Sequence, residues 1–255
     1  MKHKKCALIT GASSGIGYEF AKILDKKGYE LIVVARRTDK LNKLKDELNG
    51  NVTVISCDLS CEKQCFELYE KVKHMNVSLL INNAGFGAVG YFNEIPLERE
   101  TEMIKTNCIA LHILTKLFLN DFIKKDYGYI LNVASSAGLM PGGPLMSAYY
   151  ATKAYVTSLT SGIYQELKSI ESKVSVSALC PGPVDTEFNK VANAQFHLKS
   201  ISAKRCAEIA LREMFAKKLI IIPSLDMKLS SIAGKIAPRK FVLYVARHIQ
   251  SKKIK

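Results

Sequence analysis

Short apolar runs that alternate with stretches of helical periodicity constrain this chain more than any other feature of its sequence. Cys6–Thr10, Glu30–Ala35, Asn51–Cys57, Ser78–Asn82, Tyr129–Ala134, Lys173–Cys180 and Leu219–Ile222 read as strands. Gly15–Lys27 carries Ile16, Phe20, Ile23 and Leu24 at helical spacing, and Leu41, Leu44 and Leu48 mark the next helix. Further helices are expected from near Ser60, which reads as an N-cap, from Leu97 to Leu119 in one or two pieces, and over Ala148–Lys168. Strands separated by helices need crossover connections, and these are right-handed. The expected product is a parallel sheet covered on both faces.

The chain has 255 residues, with no internal repeat, linker or low-complexity segment, so one domain over residues 1–255 is expected. Hydrophobic residues make up 48% and charged residues 24%, which supports a real core and argues against disorder. The net charge is +14, with basic residues spread along the chain and eight of them against one acid between Asp226 and Lys255. A basic surface attracts anions of many kinds, but no nucleic-acid motif accompanies it, and no specific nucleic-acid partner is expected. The first apolar run, Cys6-Ala7-Leu8-Ile9, is too short for a signal-peptide core, and no stretch reaches the ~18 apolar residues of a membrane span. A cytoplasmic location follows as an expectation. Seven cysteines are present, and Cys57, Cys61 and Cys65 are spaced four apart. No fourth ligand lies near them and the histidines show no ligand spacing, so free thiols and no metal are expected.

The first strand runs into Thr10-Gly11-Ala12-Ser13-Ser14-Gly15-Ile16-Gly17 and then a helix. Glycines let the backbone turn sharply and approach a pyrophosphate, and the helix start offers free amides and the positive end of its dipole. With this turn at the first crossover, the fold reads as α/β, a Rossmann-type doubly wound parallel sheet of about seven strands with helices on both faces. At the end of the second strand, NAD-binding sheets place an acid on the ribose 2′-hydroxyl. Here Val34-Ala35-Arg36-Arg37 offers two guanidiniums, which suit a 2′-phosphate. NADP(H) is therefore the expected cofactor rather than NAD(H).

Five segments occur in one order: Gly11 to Gly17, Asn82-Asn83-Ala84-Gly85, Asn132-Val133-Ala134-Ser135, Tyr149-Tyr150-Ala151-Thr152-Lys153, and Pro181 to Thr186. Together they resemble the short-chain dehydrogenase/reductase family over roughly residues 4 to 225. The resemblance implies an oxidoreductase in which Tyr149 is the general acid. Lys153 would bind the nicotinamide ribose and lower the tyrosine pKa, and Ser135 would hold the substrate carbonyl. Asn107 would support a water-mediated proton path. For the cofactor it implies Gly11, Ser13, Ser14, Gly15, Ile16 and Gly17 at the turn, and Asp58 and Leu59 after the third strand. It adds Asn83, Ala84 and Gly85 after the fourth strand, Tyr149 and Lys153 on their shared helix, and Pro181, Gly182, Val184 and Thr186 after the sixth. It also implies a homodimer or homotetramer formed through the helices that carry Asn107 and Tyr149.

The chemistry can be argued without the resemblance. Tyr149 and Lys153 are four apart on a helix and share a face. A free phenol titrates near 10, and a nearby ammonium and an oxidised nicotinamide both favour its anion. One residue could then donate a proton in reduction and accept one in oxidation. Tyr150 has no lysine four residues on and reads as structural or substrate-lining. Ser135 and Ser136 compete for one role, and the pattern Asn132-x-x-Ser135-x-x-Gly138 selects Ser135.

Loops at the carboxyl ends of the strands hold Phe86, Leu139, Met140, Leu145, Met146, Phe188 and Phe196, which suggests a hydrophobic ketone, aldehyde or secondary alcohol as substrate. Residues 187–216 read as a substrate lid and 226–255 as a basic C-terminal extension. That extension, with Phe241 to Val245 flanked by Arg239, Lys240, Arg247 and Lys252, can pack on its own domain, on a neighbouring subunit or on an anionic membrane. The alternative to an enzyme is a catalytically silent NADP(H)-binding regulatory protein of the same fold.

Overall fold

The structure is a computed structural model, and it describes residues 5–188 and 200–251. Phe196 and Lys252, named above, lie outside the described residues, as does most of the first half of the expected lid.

Seven parallel strands form one sheet. They are β1 (Cys6–Thr10), β2 (Glu30–Ala35), β3 (Val52–Ser56), β4 (Val77–Asn82), β5 (Tyr129–Val133), β6 (Ser175–Leu179) and, at one edge, Ile220–Ile221. The order runs from β3 through β2, β1, β4, β5 and β6 to Ile220–Ile221, so the chain winds outward in both directions from the β1/β4 boundary. Strand residues are buried on both faces, as a doubly covered sheet requires: β1 and β6 are buried throughout. The alternation of Val174, Val176 and Ala178 therefore understates β6, whose serines Ser175 and Ser177 are buried as well.

Helices α1 (Gly15–Lys26) and α2 (Thr38–Glu47) cover one face. Leu24 and Phe20 of α1 meet Leu79, Leu131 and Leu179 there. Helix α3 (Glu62–Val72) lies on the other face, and so does α5 (Leu111–Lys125), with Phe118 and Phe122 in one core with Leu8, Leu80 and Ile130, while Met103 of α4 (Leu97–Ile104) packs in a separate cluster with Phe86 and Tyr149. Ser60 does not cap α3. Its hydroxyl turns back to Asp58 Oδ1 at 2.9 Å, and Cys61 holds the N-cap position. The long helix from Leu97 is continuous but not uniform, since a π segment, Lys105–Ala110, joins α4 to α5. Such segments often mark functional sites.

Helix α6 (Ser147–Ser169) follows β5 and a short 3₁₀ turn, Ser136–Leu139. A buried polar chain ties it to the sheet. Asn82 Nδ2 donates to Asn132 Oδ1 at 2.9 Å and to Thr115 Oγ1 at 3.0 Å, and Asn132 Nδ2 donates to Thr160 Oγ1 at 3.1 Å. Asn82 and Asn132 thus join β4, β5, α5 and α6 rather than face a ligand.

After β6 the strands β7 (Val184–Asp185) and β8 (Ile201–Ser202) pair in parallel as a separate two-stranded sheet. Helix α7 (Ala203–Phe215) occupies the second half of the expected lid, but Cys206, Ala207, Ala210, Leu211 and Met214 are buried in the core against α1. Their apolar spacing made α7 a core helix. Beyond the edge strand, numbered β9 (Ile220–Ile221), α8 (Leu225–Ile236) and α9 (Arg239–Ser251) complete the described chain. Pro238 starts α9 because its fixed φ and missing amide suit a helix start and no helix interior.

Candidate active site

A cavity of about 720 Å³ opens at the carboxyl ends of the strands, on the β1/β4 switch point. One end is the glycine turn. Gly11 and Gly15 have φ of +65° and +60°, a region that L side chains rarely adopt. Helix α1 starts with no acid in its first turn, and Ser14, its N-cap, makes no side-chain capping bond. The positive end of the helix is therefore left for an external anion. Thr10 Oγ1 accepts from the amides of Asn83 (2.9 Å) and Ala84 (3.0 Å), and Asn83 Nδ2 donates to the carbonyls of Thr10 (2.9 Å) and Gly11 (3.1 Å). These bonds lock the turn to the end of β4. A Cβ at Gly17 would stand 2.4 Å from the Gly11 carbonyl oxygen, so only glycine lets α1 pack this closely.

Every cofactor residue expected from the sequence lines this cavity except Gly17, which lies beneath the turn. The two arginines diverge. Arg37 bends over the turn, with Nη2 donating to Ser13 Oγ at 3.1 Å and Ser14 Oγ at 2.9 Å. Arg36 also lines the cavity but pairs with Glu102 at 2.8 Å, a carboxylate that Arg99 also holds at 3.2 Å.

The middle of the cavity holds Tyr149, Lys153 and Ser135. Tyr149 is buried with Ser135 beside it, and the Ser135 hydroxyl donates to the Pro181 carbonyl at 3.5 Å. Ser135 also caps the 3₁₀ turn by accepting from the amide of Ala137 at 3.1 Å. Gly138 is needed for this geometry, since a Cβ there would lie 2.3 Å from the Lys153 carbonyl oxygen. Lys153 Nζ donates to the Val133 carbonyl at 2.9 Å and sits 5.8 Å from the centre of the Tyr149 ring. Burial pushes Tyr149 up to about 12 and Lys153 down to about 8. The direction at Tyr149 is opposite to the depression expected from a lysine one turn away. Loss of hydration outweighs its neighbours, among which Ser135 pulls the pKa back down.

Asn107 does not line the cavity. It is buried in the π segment, with Oδ1 accepting from the Phe86 amide at 3.1 Å and Nδ2 donating to the Phe86 carbonyl at 2.9 Å and to Thr152 Oγ1 at 3.1 Å. A Cβ at Gly85 would come within 2.8 Å of Asn107 Oδ1 and 3.4 Å of Lys153 Nζ. The amide is thus engaged in holding the Gly85–Phe86 turn, a positioning task the sequence did not foreshadow.

The far end of the cavity is apolar. Phe86, Met140, Met146 and Phe188 line it as expected. Leu139 instead packs in a cluster with Leu111, Ala134 and Val156, and Leu145 is buried without lining the cavity. The larger surprise is the roof. Met227 and Gly234 of α8, and Phe241, Val242, Ala246 and Ile249 of α9, close over the chamber, so the basic C-terminal stretch packs on its own domain. Gln250 Nε2 donates to the Tyr150 hydroxyl at 2.5 Å, and Arg239 Nη2 donates to the Pro141 carbonyl at 3.1 Å. The spacing Val242, Ala246, Gln250 held a signal for this face, but not for where it docks. Among the described residues no cluster of three or more metal-ligating side chains occurs, and no helix is long and apolar enough to cross a membrane.

A glycine turn at the switch point of a doubly wound sheet, joined to an apolar chamber, defines the class of nucleotide-binding α/β proteins. Residues 5–196 match the family model described as short chain dehydrogenase, and the chain belongs to the short-chain dehydrogenase/reductase family of oxidoreductases. It is 31% identical over 197 residues to the very-long-chain 3-oxoacyl-CoA reductase of Rattus norvegicus, a match that covers 72% of this chain and 61% of that protein. The chain thus accounts for less than two thirds of the length of these reductases. It is 29% identical over 243 residues to dehydrogenase/reductase SDR family member 11 of Bos taurus, covering 88% of this chain and 95% of that one. Among solved structures, a short-chain dehydrogenase from Sphingobium yanoikuyae in complex with NADPH superposes with a TM-score of 0.81 at 29% identity, over 91% of this chain and 93% of that one.

Proposed function

We propose that this chain is an NADP(H)-dependent oxidoreductase that interconverts a hydrophobic ketone or aldehyde and its alcohol, with Tyr149 as general acid and base. The observation that carries this reading is the buried Tyr149 phenol, beside Ser135 and one helical turn from Lys153, in a cavity that runs from the glycine turn to an apolar chamber. When bound, the nicotinamide supplies or takes the hydride.

This chain's residues do the rest. The Gly11–Gly17 turn and the start of α1 hold the pyrophosphate, and Arg37 with Ser13 faces a 2′-phosphate. Asp58, Leu59, Asn83 to Gly85 and the Pro181–Thr186 segment flank the remainder of the cofactor. Ser135 donates to the substrate oxygen. Tyr149, protonated near neutrality because burial disfavours its anion, gives that oxygen its proton during reduction. Lys153 binds the nicotinamide ribose, and Asn107 keeps Gly85 and Phe86 in place behind it. Phe86, Met146, Phe188 and the roof exclude water and select an apolar substrate. The very-long-chain reductase relatives make long acyl ketones one class to test. A homodimer or homotetramer is proposed through α4–α5 and α6, where Ile104 and Tyr155 stay exposed.

The test is NADPH and NADH consumption against a panel of apolar ketones and aldehydes, run beside direct binding of both cofactors. Turnover that is faster with NADPH supports the reading. Tight NADPH binding without turnover on any substrate would favour a regulatory protein of the same fold.

A further inference from the structure

We propose that the Glu187 carboxylate is an internal competitor for the seat of the cofactor's 2′-phosphate, and that Lys40 is a further cation of that seat. The proposal rests on the NADP(H) reading above and adds residues that neither the glycine turn nor the arginine pair announced.

Arg37 Nη1 lies 2.9 Å from Glu187 Oε2, and Lys40 Nζ lies 2.6 Å from Glu187 Oε1. One carboxylate oxygen goes to each cation. The other arm of the Arg37 guanidinium is fixed on Ser13 and Ser14 of the glycine turn. Two cations and two hydroxyls from α1, α2 and their turns therefore converge at the rim of the cofactor cavity, and an anion from far along the chain sits among them. Glu187 is brought there by its neighbour. The Thr186 side chain packs over the glycine turn, with Cγ2 3.0 Å from where a Cβ on Gly15 would stand. Lys40 and Arg37 hold the Glu187 carboxyl down at about 2, so it remains an anion across the physiological range. Arg36 also lines the cavity but pairs with Glu102, so Arg37 and Lys40 are the cations that Glu187 itself holds.

A phosphate monoester carries up to two negative charges and three acceptor oxygens, whereas a carboxylate carries one charge and two oxygens. Both need the same guanidinium and ammonium. A 2′-phosphate thus enters by displacing Glu187, and the ion pairs it breaks are subtracted from its affinity. A cofactor lacking that phosphate leaves them intact. Glu187 consequently sets how strongly the protein prefers one dinucleotide over the other.

Calorimetric titration with adenosine 2′,5′-bisphosphate and with adenosine 5′-monophosphate tests this without turnover, because the two probes differ only in the 2′-phosphate. Glu187→Gln should bind the bisphosphate about three- to tenfold more tightly, the gain expected for two partly exposed ion pairs no longer in competition. Its affinity for the monophosphate should be unchanged. Adding Lys40→Gln to Glu187→Gln should weaken the bisphosphate again, and only the bisphosphate. If Glu187→Gln leaves bisphosphate affinity unchanged or lowers it, Glu187 orients Arg37 rather than competing for it, and the proposal is overturned. If the second substitution has no effect, Lys40 is no part of the seat. A native protein that binds both probes equally fails a different test, that of the NADP(H) reading itself.

Discussion

The two ends of the cavity are built on different principles. At the glycine turn, position is set by backbone: Thr10 and Asn83 stitch β1 to β4, and added side chains at Gly11 or Gly17 would collide with main-chain atoms. At the roof, position is set by side chains: α9 is held by polar bonds from Arg239 and Gln250, and both α8 and α9 by the apolar residues they turn inward. Leu225, Leu229 and Ile236 of α8 stay largely exposed. A site made of main-chain geometry fits one ligand shape and tolerates little change. A site made of side-chain volume can be reshaped one residue at a time. On the proposed reading, the glycine-turn end would hold the family's common chemistry and the roof would choose the substrate.

The largest expected effect lies where the two ends meet. Tyr149→Phe should cut turnover by about 10²- to 10⁴-fold, the usual share of a general acid, while NADPH binding measured by fluorescence stays the same. Near-normal turnover would separate the phenol from the chemistry and dissolve the comparison at its centre.

Next in size is Lys153, which burial moves from its ordinary 10.5 down to about 8. Between those values the unfolded chain holds a proton that the folded protein has released, so the contribution of Lys153 to stability rises with pH. The burial penalty is fully present below pH 8 and is relieved towards pH 10.5. Protein free of cofactor should therefore gain stability relative to Lys153→Met by up to about 3 kcal/mol over that window. Denaturant melts at several pH values measure the difference, and a flat difference would mean that the ammonium is not buried as described.

Gly17→Ala sharpens the contrast at the backbone-built end. One methyl group beside the Gly11 carbonyl should cost about 1–3 kcal/mol of stability and weaken both dinucleotides together. An ordinary melting temperature with intact binding would show that the turn adapts. The smallest effects belong to the roof. Ala246→Phe should raise KM for bulky ketones with cofactor affinity unchanged, since Ala246 lines only the apolar end. Gln250→Leu removes the bond to Tyr150 and should cost about 0.5–1.5 kcal/mol, with a modest shift in substrate preference. Loss of cofactor affinity in either roof variant would make the two ends one unit.

Most of the sheet was legible in the sequence, because a strand buried on both faces writes a continuous apolar run and a crossover helix writes a 3.6-residue period. The core residues Leu8, Val33, Leu80 and Leu131 fall within those runs. Three features were not legible. The π segment holding Asn107 has no sequence period of its own. The C-terminal stretch showed an amphipathic pattern without naming its partner surface. Arg36 and Arg37 read as a matched pair, yet distant carboxylates, Glu102 and Glu187, draw them apart.

The sequence by itself determined the alternation of strands and helices, the turn from Gly11 to Gly17 and the placing of Tyr149 and Lys153 on one helix face. All of these depend on residues close together in the chain. Only the tertiary structure decided which arginine bends over the glycine turn, that burial raises Tyr149 rather than lets Lys153 lower it, and that the end of the chain roofs the chamber. These depend on packing that brings together residues far apart in the chain, such as Arg36 with Glu102, Arg37 with Glu187 and Tyr150 with Gln250. Sequence spacing carries no record of such pairs, because their meeting is fixed by the packing of the whole domain.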